Sequence, residues 1–453
     1  MRRPLCFVLM PFGEKPDATG MMKIDFDAIY RDLIAPAITE VGLDPLRADE
    51  EVTGGIIHKP MYERLLFSQY AVADLTTANA NVFYELGVRH AVRPWSTVLL
   101  FAGSARLPFD VGPLRAMLYR LTPAGTLEDV ASDRRKLVKQ LKEIRKQADI
   151  EAKPDSPLFQ MISDLPTLAI TDARRTELEN RAQEADQMRA QIADAKRRNV
   201  EALREVERRL GRLTTIETGI VIDLFLAYRD RAAWADVVAL FNKMPKELQK
   251  TVMVQEQFAL ALNRAGQGEE AEDVLKKLIE RRGPSSETYG ILGRVYKDRW
   301  EQALKQGATF EAQGLLAQAI DAYLKGFEAD WRDAYPGVNV VTLMEIKQPP
   351  DPRRKQILPV VAYAVERRIA AGTPDYWDYA TRLELAVLAK DKRLATSALG
   401  AALASVRAFW EPETTARNLR LIREARARRG EEVVWAKSIE EALEAKAHQQ
   451  SGV

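Results

Sequence analysis

The chain has 453 residues, 46% of them hydrophobic, with 67 Lys and Arg against 65 Asp and Glu and a net charge of +2. That length accommodates about two to four domains, and the even charge balance argues against a nucleic-acid or membrane-surface binder, which shows a basic face. The lone cysteine, Cys6, excludes an internal disulfide framework and fits a reducing cytoplasm, where the protein is expected.

Residues 5–10 are a continuous apolar run that reads as a first strand with Cys6 in its core, and Pro11-Phe12-Gly13 turns the chain at its carboxyl end. The run is too short for a signal peptide despite Arg2 and Arg3. No apolar run approaches the roughly 18 residues of a membrane span. Residues 14–23 are mostly polar, with Pro16 and Gly20, and read as a mobile loop over a site. Asp25 caps a helix with an apolar face of Phe26, Ile29, Leu33 and Ile38, closed by Gly42. A second strand over 43–48 ends in Asp49-Glu50-Glu51, and Gly54-Gly55 opens a helix over 56–67.

Residues 71–75 form the third strand, with Asp74 at its end. Asn79 and Asn81 are turn and cap residues. Val82, Phe83, Leu86 and Val88 then begin a helical pattern with Glu85 in the first turn. A fourth strand over 97–102 follows, and Pro108-Phe109-Asp110 with residues 117–121 suggest a last short one. This alternation predicts an α/β domain over residues 1–125, a doubly wound parallel sheet. Such sheets bind ligands outside the carboxyl ends of their strands, which places Asp74 and Glu85 at the site. Two other readings of Glu85 stand beside this one: a first-turn acid favoured by the helix dipole, or an i,i+4 partner of Arg89; Asp74 likewise also reads as a cap for its own loop.

Helices dominate after that. Residues 126–215 are expected as a helical linker region, with a charged amphipathic helix over 127–148, a linker at Pro154-Asp155-Ser156-Pro157 and one long polar helix over 172–213. Leu203, Val206, Leu210 and Leu213 make a stripe that fits a solvated helix with one buried seam or a dimer contact, so a homo-oligomer stays open. Over 216–450, Phe258, Ala259, Leu262, Gly266, Ala271, Leu275 and Leu278 fit two packed helices. Tyr289, Leu292, Gly293 and Tyr296 begin the next copy about 34 residues on, the period of a tetratricopeptide α-solenoid. Leu224, Tyr228 and Phe241 fit the copy before. In the third copy Ala319, Tyr323 and Phe327 arrive about 14 residues late, which implies a lengthened hairpin. Ala271, Gly293, Phe258, Tyr289 and Tyr296 are expected to be buried where helices cross. Tyr335-Pro336-Gly337-Val338-Asn339 is expected to interrupt the helices.

The segments Phe7-Val8-Leu9-Met10-Pro11-Phe12-Gly13, Asp74-Leu75-Thr76 and Asn81-Val82-Phe83-Tyr84-Glu85-Leu86-Gly87 resemble the nucleoside 2-deoxyribosyltransferase-like superfamily, which is close to the TIR-type NAD-cleaving domains. The resemblance covers residues 5–122. It implies that Glu85 attacks or stabilises the anomeric carbon of a nucleoside, since a carboxylate does this for an oxocarbenium-like state. Asp74 is the second catalytic candidate, and Asp49 a ligand contact after strand two. Pro11, Phe12 and Gly13 are placed to hold phosphate, with Asn79, Asn81 and Tyr84 as further contacts. The transferases carry an Asp where this chain has Asn79. His58 and His90 have no partner at metal spacing, and with one cysteine no metal or cofactor is expected.

A second resemblance rests on Ser156-Pro157-Leu158-Phe159-Gln160, the repeats, and Tyr335-Pro336-Gly337-Val338-Asn339, which look like the central regulatory region of apoptosis signal-regulating kinases. Bacterial proteins of similar make-up pair a deoxyribosyltransferase-like domain with such repeats. Within these residues there is no glycine-rich loop followed by a strand lysine and no His-Arg-Asp loop. Three functions follow. One is a nucleoside, nucleotide or NAD N-glycosidase controlled by a solenoid that binds protein partners. The second is a nucleotide sensor that does not cleave. The third is a plain scaffold.

Overall fold

A computed structural model describes residues 3–17, 22–47, 58–103, 116–147, 154–162, 165, 172–370, 374–431 and 433–451. Gly20, Asp49-Glu50-Glu51, Gly54-Gly55 and Pro108-Phe109-Asp110, and the side chain of His58, lie outside the described residues. The chain is mostly helical, with a small parallel sheet near its start, and divides into two units, Met1–Ala227 and Tyr228–Val453.

The first unit opens with β1 (Leu5–Leu9), followed by β2 (Glu14–Pro16) and β3 (Lys23–Asp25), which pair antiparallel. The stretch read as a mobile loop therefore contains a short hairpin. Asp25 caps α1 (Phe26–Ile29), accepting from the backbone of Asp27 and Ala28, as its side chain should. The helix passes through a wider π turn over Tyr30–Ile34 into α2 (Ala35–Glu40), and Gly42 closes it at φ +74°. Then come β4 (Asp44–Arg47), α3 (His58–Phe67), β5 (Tyr70–Asp74), α4 (Ala80–Val92), β6 (Thr97–Ala102) and β7 (Met117–Tyr119). The sheet order is β4-β1-β5-β6-β7, and every pair is parallel.

The central strands β1, β5 and β6 are buried on both faces, which is why they read as unbroken apolar runs rather than alternating ones. Cys6, Val8, Val72, Val98 and Leu100 pack with Phe26, Leu33 and Ile38 of the first helix. Phe7, Leu9, Ala71, Ala73 and Leu99 pack with Leu65 of α3 and Val82 and Leu86 of α4.

Helix α5 (Val130–Gln147) sends Leu137, Val138 and Leu141 into the first of these cores, so the α/β unit extends past residue 125 into what read as linker. The Pro154–Pro157 segment is no free tether. Ser156 is buried and donates to the carbonyl of His90 at 2.8 Å, and Asp155 accepts from the Thr97 N–H at 2.7 Å. A short α6 (Pro157–Met161) follows. The long polar helix is two helices, α7 (Asp172–Arg198) and α8 (Val200–Leu210). Asn199 divides them by leaving helical geometry and capping α8 through Ala202 N–H at 2.8 Å. Helix α9 (Thr218–Asp230) carries the boundary between the units.

The second unit continues with α10 (Trp234–Lys243), α11 (Lys246–Gln249), α12 (Val252–Arg264) and α13 (Gly268–Arg282). The third copy is the lengthened hairpin its spacing implied, α14 (Ser286–Lys305) against α15 (Thr309–Ala329), with 20 and 21 residues. Gly266 and Gly307 turn hairpins at φ +83° and +75°, left-handed positions that favour glycine. Ala271, Gly293 and Tyr296 are buried as expected, whereas Phe258 and Tyr289 are only half-buried, and Phe258 instead stacks on Phe241 at 3.6 Å. Tyr335-Pro336-Gly337-Val338-Asn339 does not interrupt the helices. Asp333 caps the segment, and it forms the first turns of α16 (Ala334–Ile346), where a proline's missing N–H costs little.

The remaining helices are α17 (Arg354–Ala370), α18 (Tyr376–Leu388), α19 (Lys392–Ala404), α20 (Trp410–Ala427) and α21 (Ala436–Ser451). Buried Glu345 of α16 ties three segments of this unit together. Its carboxylate pairs with Arg354 at 2.6 Å, Arg426 at 2.8 Å and Arg429 at 2.6 Å.

Candidate functional site

The carboxyl edge of the sheet gathers the ends of β1, β4 and β5 and the loop into α4. After β1, Gly13 adopts φ +62° and donates its N–H to Asp27 Oδ1 at 3.1 Å. Arg47, at the end of β4, pairs with the same carboxylate at 2.8 Å, and its guanidinium lies 5.7 Å from the Phe12 ring and 4.6 Å from that of Tyr30. The Gly13 N–H, with help from Arg47, holds the Asp27 carboxyl below its usual range. The Gly13 amide expected to hold phosphate thus already has an anion. Pro11 is buried, and Phe12 is exposed. Asp49 lies outside the described residues.

Asp74, 1% exposed, is fully engaged by its own surroundings. One oxygen accepts from the Thr76 N–H at 3.0 Å and its hydroxyl at 2.6 Å, and the other accepts from Tyr119 Oη at 2.8 Å. Burial raises its pKa, and these bonds oppose the rise. The carboxylate closes an Asx-type turn at the strand end. Asn79 is likewise committed. Its side-chain oxygen caps α4, accepting from Asn81 N–H at 3.0 Å and Val82 N–H at 3.3 Å. Asn81 itself is exposed. Thr77, between them, has its hydroxyl oxygen buried with no hydrogen-bond partner among the described residues.

Glu85 is the sixth residue of α4, in its second turn rather than its first. It is half-buried, and its carboxylate makes no hydrogen bond or ion pair with any described residue. Burial alone pushes its pKa up to about 7. The next-door Tyr84 is exposed and its hydroxyl meets that of Tyr62, on α3, at 2.6 Å. The edge therefore joins Asp74 to Thr76 and Tyr119, Gly13 to Asp27 and Arg47, and Tyr84 to Tyr62. No hydrogen bond joins Asp74 to Glu85. A carboxylate that titrates near 7 without a partner can stabilise a developing cation or move a proton.

Sequence reasoning missed Tyr119 and Tyr62, which come from other elements, and it read Arg89 only as a surface partner of Glu85. The Arg89 side chain is fully buried. Its guanidinium donates to the carbonyls of Leu65 at 2.9 Å, Ser68 at 2.6 Å and Gln69 at 3.3 Å, which closes the carboxyl end of α3. His90 stays neutral: burial first, and the charge of Arg89 second, push it down to about 4. No group of three or more metal-ligating side chains occurs among the described residues.

The chain is a two-unit protein, a parallel-sheet unit followed by packed helical hairpins. The MAP3K TRAFs-binding domain matches residues 82–441, and the chain belongs to that family. It is 25% identical over 252 residues to the mitogen-activated protein kinase kinase kinase nsy-1 of Caenorhabditis elegans, a match covering 51% of this chain and 16% of that protein. A tetratricopeptide protein of Thermus thermophilus is 15% identical, with a TM-score of 0.35 over 45% of this chain and 99% of its own. One from Parabacteroides merdae is 12% identical, with a TM-score of 0.34 over 60% and 98%.

Proposed function

We propose that the chain is a signalling module in which the helical unit holds protein partners and the α/β unit, read as a doubly wound sheet of the deoxyribosyltransferase and TIR type, cleaves an N-glycosidic bond at Glu85. The family name speaks of binding TRAFs, and for this chain we take from it a protein-binding role. The observation that carries the enzymatic part is the Glu85 carboxylate, half-buried, without a hydrogen-bond or ion-pair partner among the described residues, and raised to about 7.

The committed state of Asp74 and Asn79 narrows the substrate. A neutral nucleoside needs an acid to protonate the departing base, and neither side chain is free to act as one. A pyridinium N-glycoside such as NAD needs none. Its C1′–N bond breaks with the electron pair going to the ring nitrogen, which leaves as neutral nicotinamide. The Glu85 carboxylate faces the resulting oxocarbenium, water adds to C1′, and the water's proton passes to Glu85. The same committed side chains also favour a second reading, a sensor that binds such a ligand without cleaving it.

Incubating the full chain with NAD, adenosine and deoxyadenosine, and following free base by liquid chromatography, separates these. The proposal expects nicotinamide and little adenine. Binding of NAD by calorimetry with no base released selects the sensor.

A further inference from the structure

The second unit holds a cavity of about 450 Å³ lined from α12, α14, α16, α17, α18 and α20. That is within the roughly 300–1,000 Å³ of small-molecule sites. Its two walls differ in chemistry. From α12 and α14 come Arg264, Arg294 and Lys297, and from the starts of α18 and α20 come Trp377 and Trp410, with ring centroids 5.7 Å apart and planes tilted by 34°.

Lys297 is 2% exposed, and no carboxylate of the described residues lies within ion-pair distance of its ammonium. Among the described residues it donates to two amide oxygens, Asn339 and Asn418, each at 3.3 Å. An ammonium has three donors, so one is left without a partner. Buried charge without a counter-ion is costly and is seldom retained for stability alone. Arg264 and Arg294 share a single carboxylate, Asp298, at 3.8 and 2.9 Å, and Asn263 bonds it as well.

The acids on the other side of the cavity are already engaged. Asp333 and Asp375 cap helices, Asp378 completes a capping box and pairs with Arg368, and Glu384 accepts from Thr342 and Asn418. On the α12–α14 wall Arg264, Arg294 and Lys297 thus face the cavity beside the carboxylate of Asp298, while Glu384 and Glu301 act on Lys297 from beyond ion-pair distance. Burial, and then the charge of Arg294, push Lys297 down to about 8, which fits an ammonium lacking its anion.

We propose that this cavity is a second ligand site for a small anion joined to a planar ring, of the nucleotide class. Its phosphate meets Lys297, Arg294 and Arg264, and its ring lies against Trp377 and Trp410. Base–aromatic stacking and charge-assisted phosphate bonds are the two interactions these walls offer. This site is independent of the chemistry assigned to Glu85.

Calorimetry on the full chain with AMP, adenosine, inorganic phosphate and a glutamate-rich peptide tests it. AMP is expected to bind, with adenosine and phosphate each weaker because each satisfies one wall. Lys297→Met and Trp410→Ala are expected to lower AMP affinity about tenfold or more, while Glu85→Gln leaves it unchanged. Lys297→Met is also expected to keep or raise the melting temperature of the ligand-free protein, because an apolar isostere removes an unpaired buried charge. A lower ligand-free melting temperature with AMP affinity unchanged would make Lys297 a structural residue and overturn the proposal. So would the absence of AMP binding, loss of AMP binding in Glu85→Gln alone, or binding of the peptide in place of AMP.

Discussion

Glu85 and Arg89 lie one turn apart on the same helix, and they do not pair. Arg89 turns into the protein and gives its guanidinium to the carbonyls that end α3, while the Glu85 carboxylate is left without a cation among the described residues. An i,i+4 Glu–Arg spacing ordinarily reads as a surface ion pair. Here the carbonyls of a neighbouring helix end outcompete it, and the result is a half-buried acid with a raised pKa.

That pKa makes a stability prediction. Glu85 titrates near 7 in the folded chain and at its ordinary 4.5 when unfolded. Between those values the folded state holds a proton the unfolded chain has released, so stability falls as pH rises through that window. Glu85→Gln removes the fall. Melting temperatures of the two proteins should converge below pH 4.5, diverge from there to pH 7, and above it differ by a constant amount with the variant higher. A variant that is less stable at pH 8 would mean the carboxylate has a stabilising partner.

Arg89→Met should be severe. It leaves the carbonyls of Leu65, Ser68 and Gln69 unsatisfied at the buried end of α3, at a cost on the order of 3–5 kcal/mol. Denaturant unfolding followed by a probe in the α/β unit measures it. A loss below about 1 kcal/mol would place Arg89 among ordinary surface residues.

Gly293 sits where α14 meets α15, and a Cβ there would fall 2.6–2.8 Å from atoms of the Tyr323 ring. Gly293→Leu should overpack the crossing and cost on the order of 1–3 kcal/mol. In a repeat array each hairpin buries its face only against neighbours, so the loss should spread through the second unit. Hydrogen exchange resolved by segment should show faster exchange across α12 to α16. Exchange confined to α14 would argue against array behaviour.

The strands were legible because a parallel sheet covered on both faces leaves unbroken apolar runs such as Cys6-Phe7-Val8-Leu9 and Val98-Leu99-Leu100. The β2–β3 hairpin was not, since Glu14-Lys15-Pro16 is polar and only three residues long. The break at Asn199 had a signal, a cap residue inside a polar helix, but propensity over the flanking residues outweighed it. Tyr335 to Asn339 was misread because Pro336 and Gly337 look like breakers, yet both are tolerated in a first turn capped by Asp333. The place of Glu85 on the helix after β5 was legible from the strand-loop-helix pattern, though read one turn early. The capping of its own loop by Asp74, through Thr76, was legible too, whereas the bond from Tyr119, 45 residues away, was not.

The most direct measurement is nicotinamide release from NAD by the full chain as a function of pH, beside Glu85→Gln. If the ionised carboxylate stabilises the transition state, the wild-type rate rises with pH to a plateau above an apparent pKa of about 7. The variant should be slower by about 100-fold or more at the plateau. Release that is independent of Glu85, or no release by the wild type at any pH, would contradict the account.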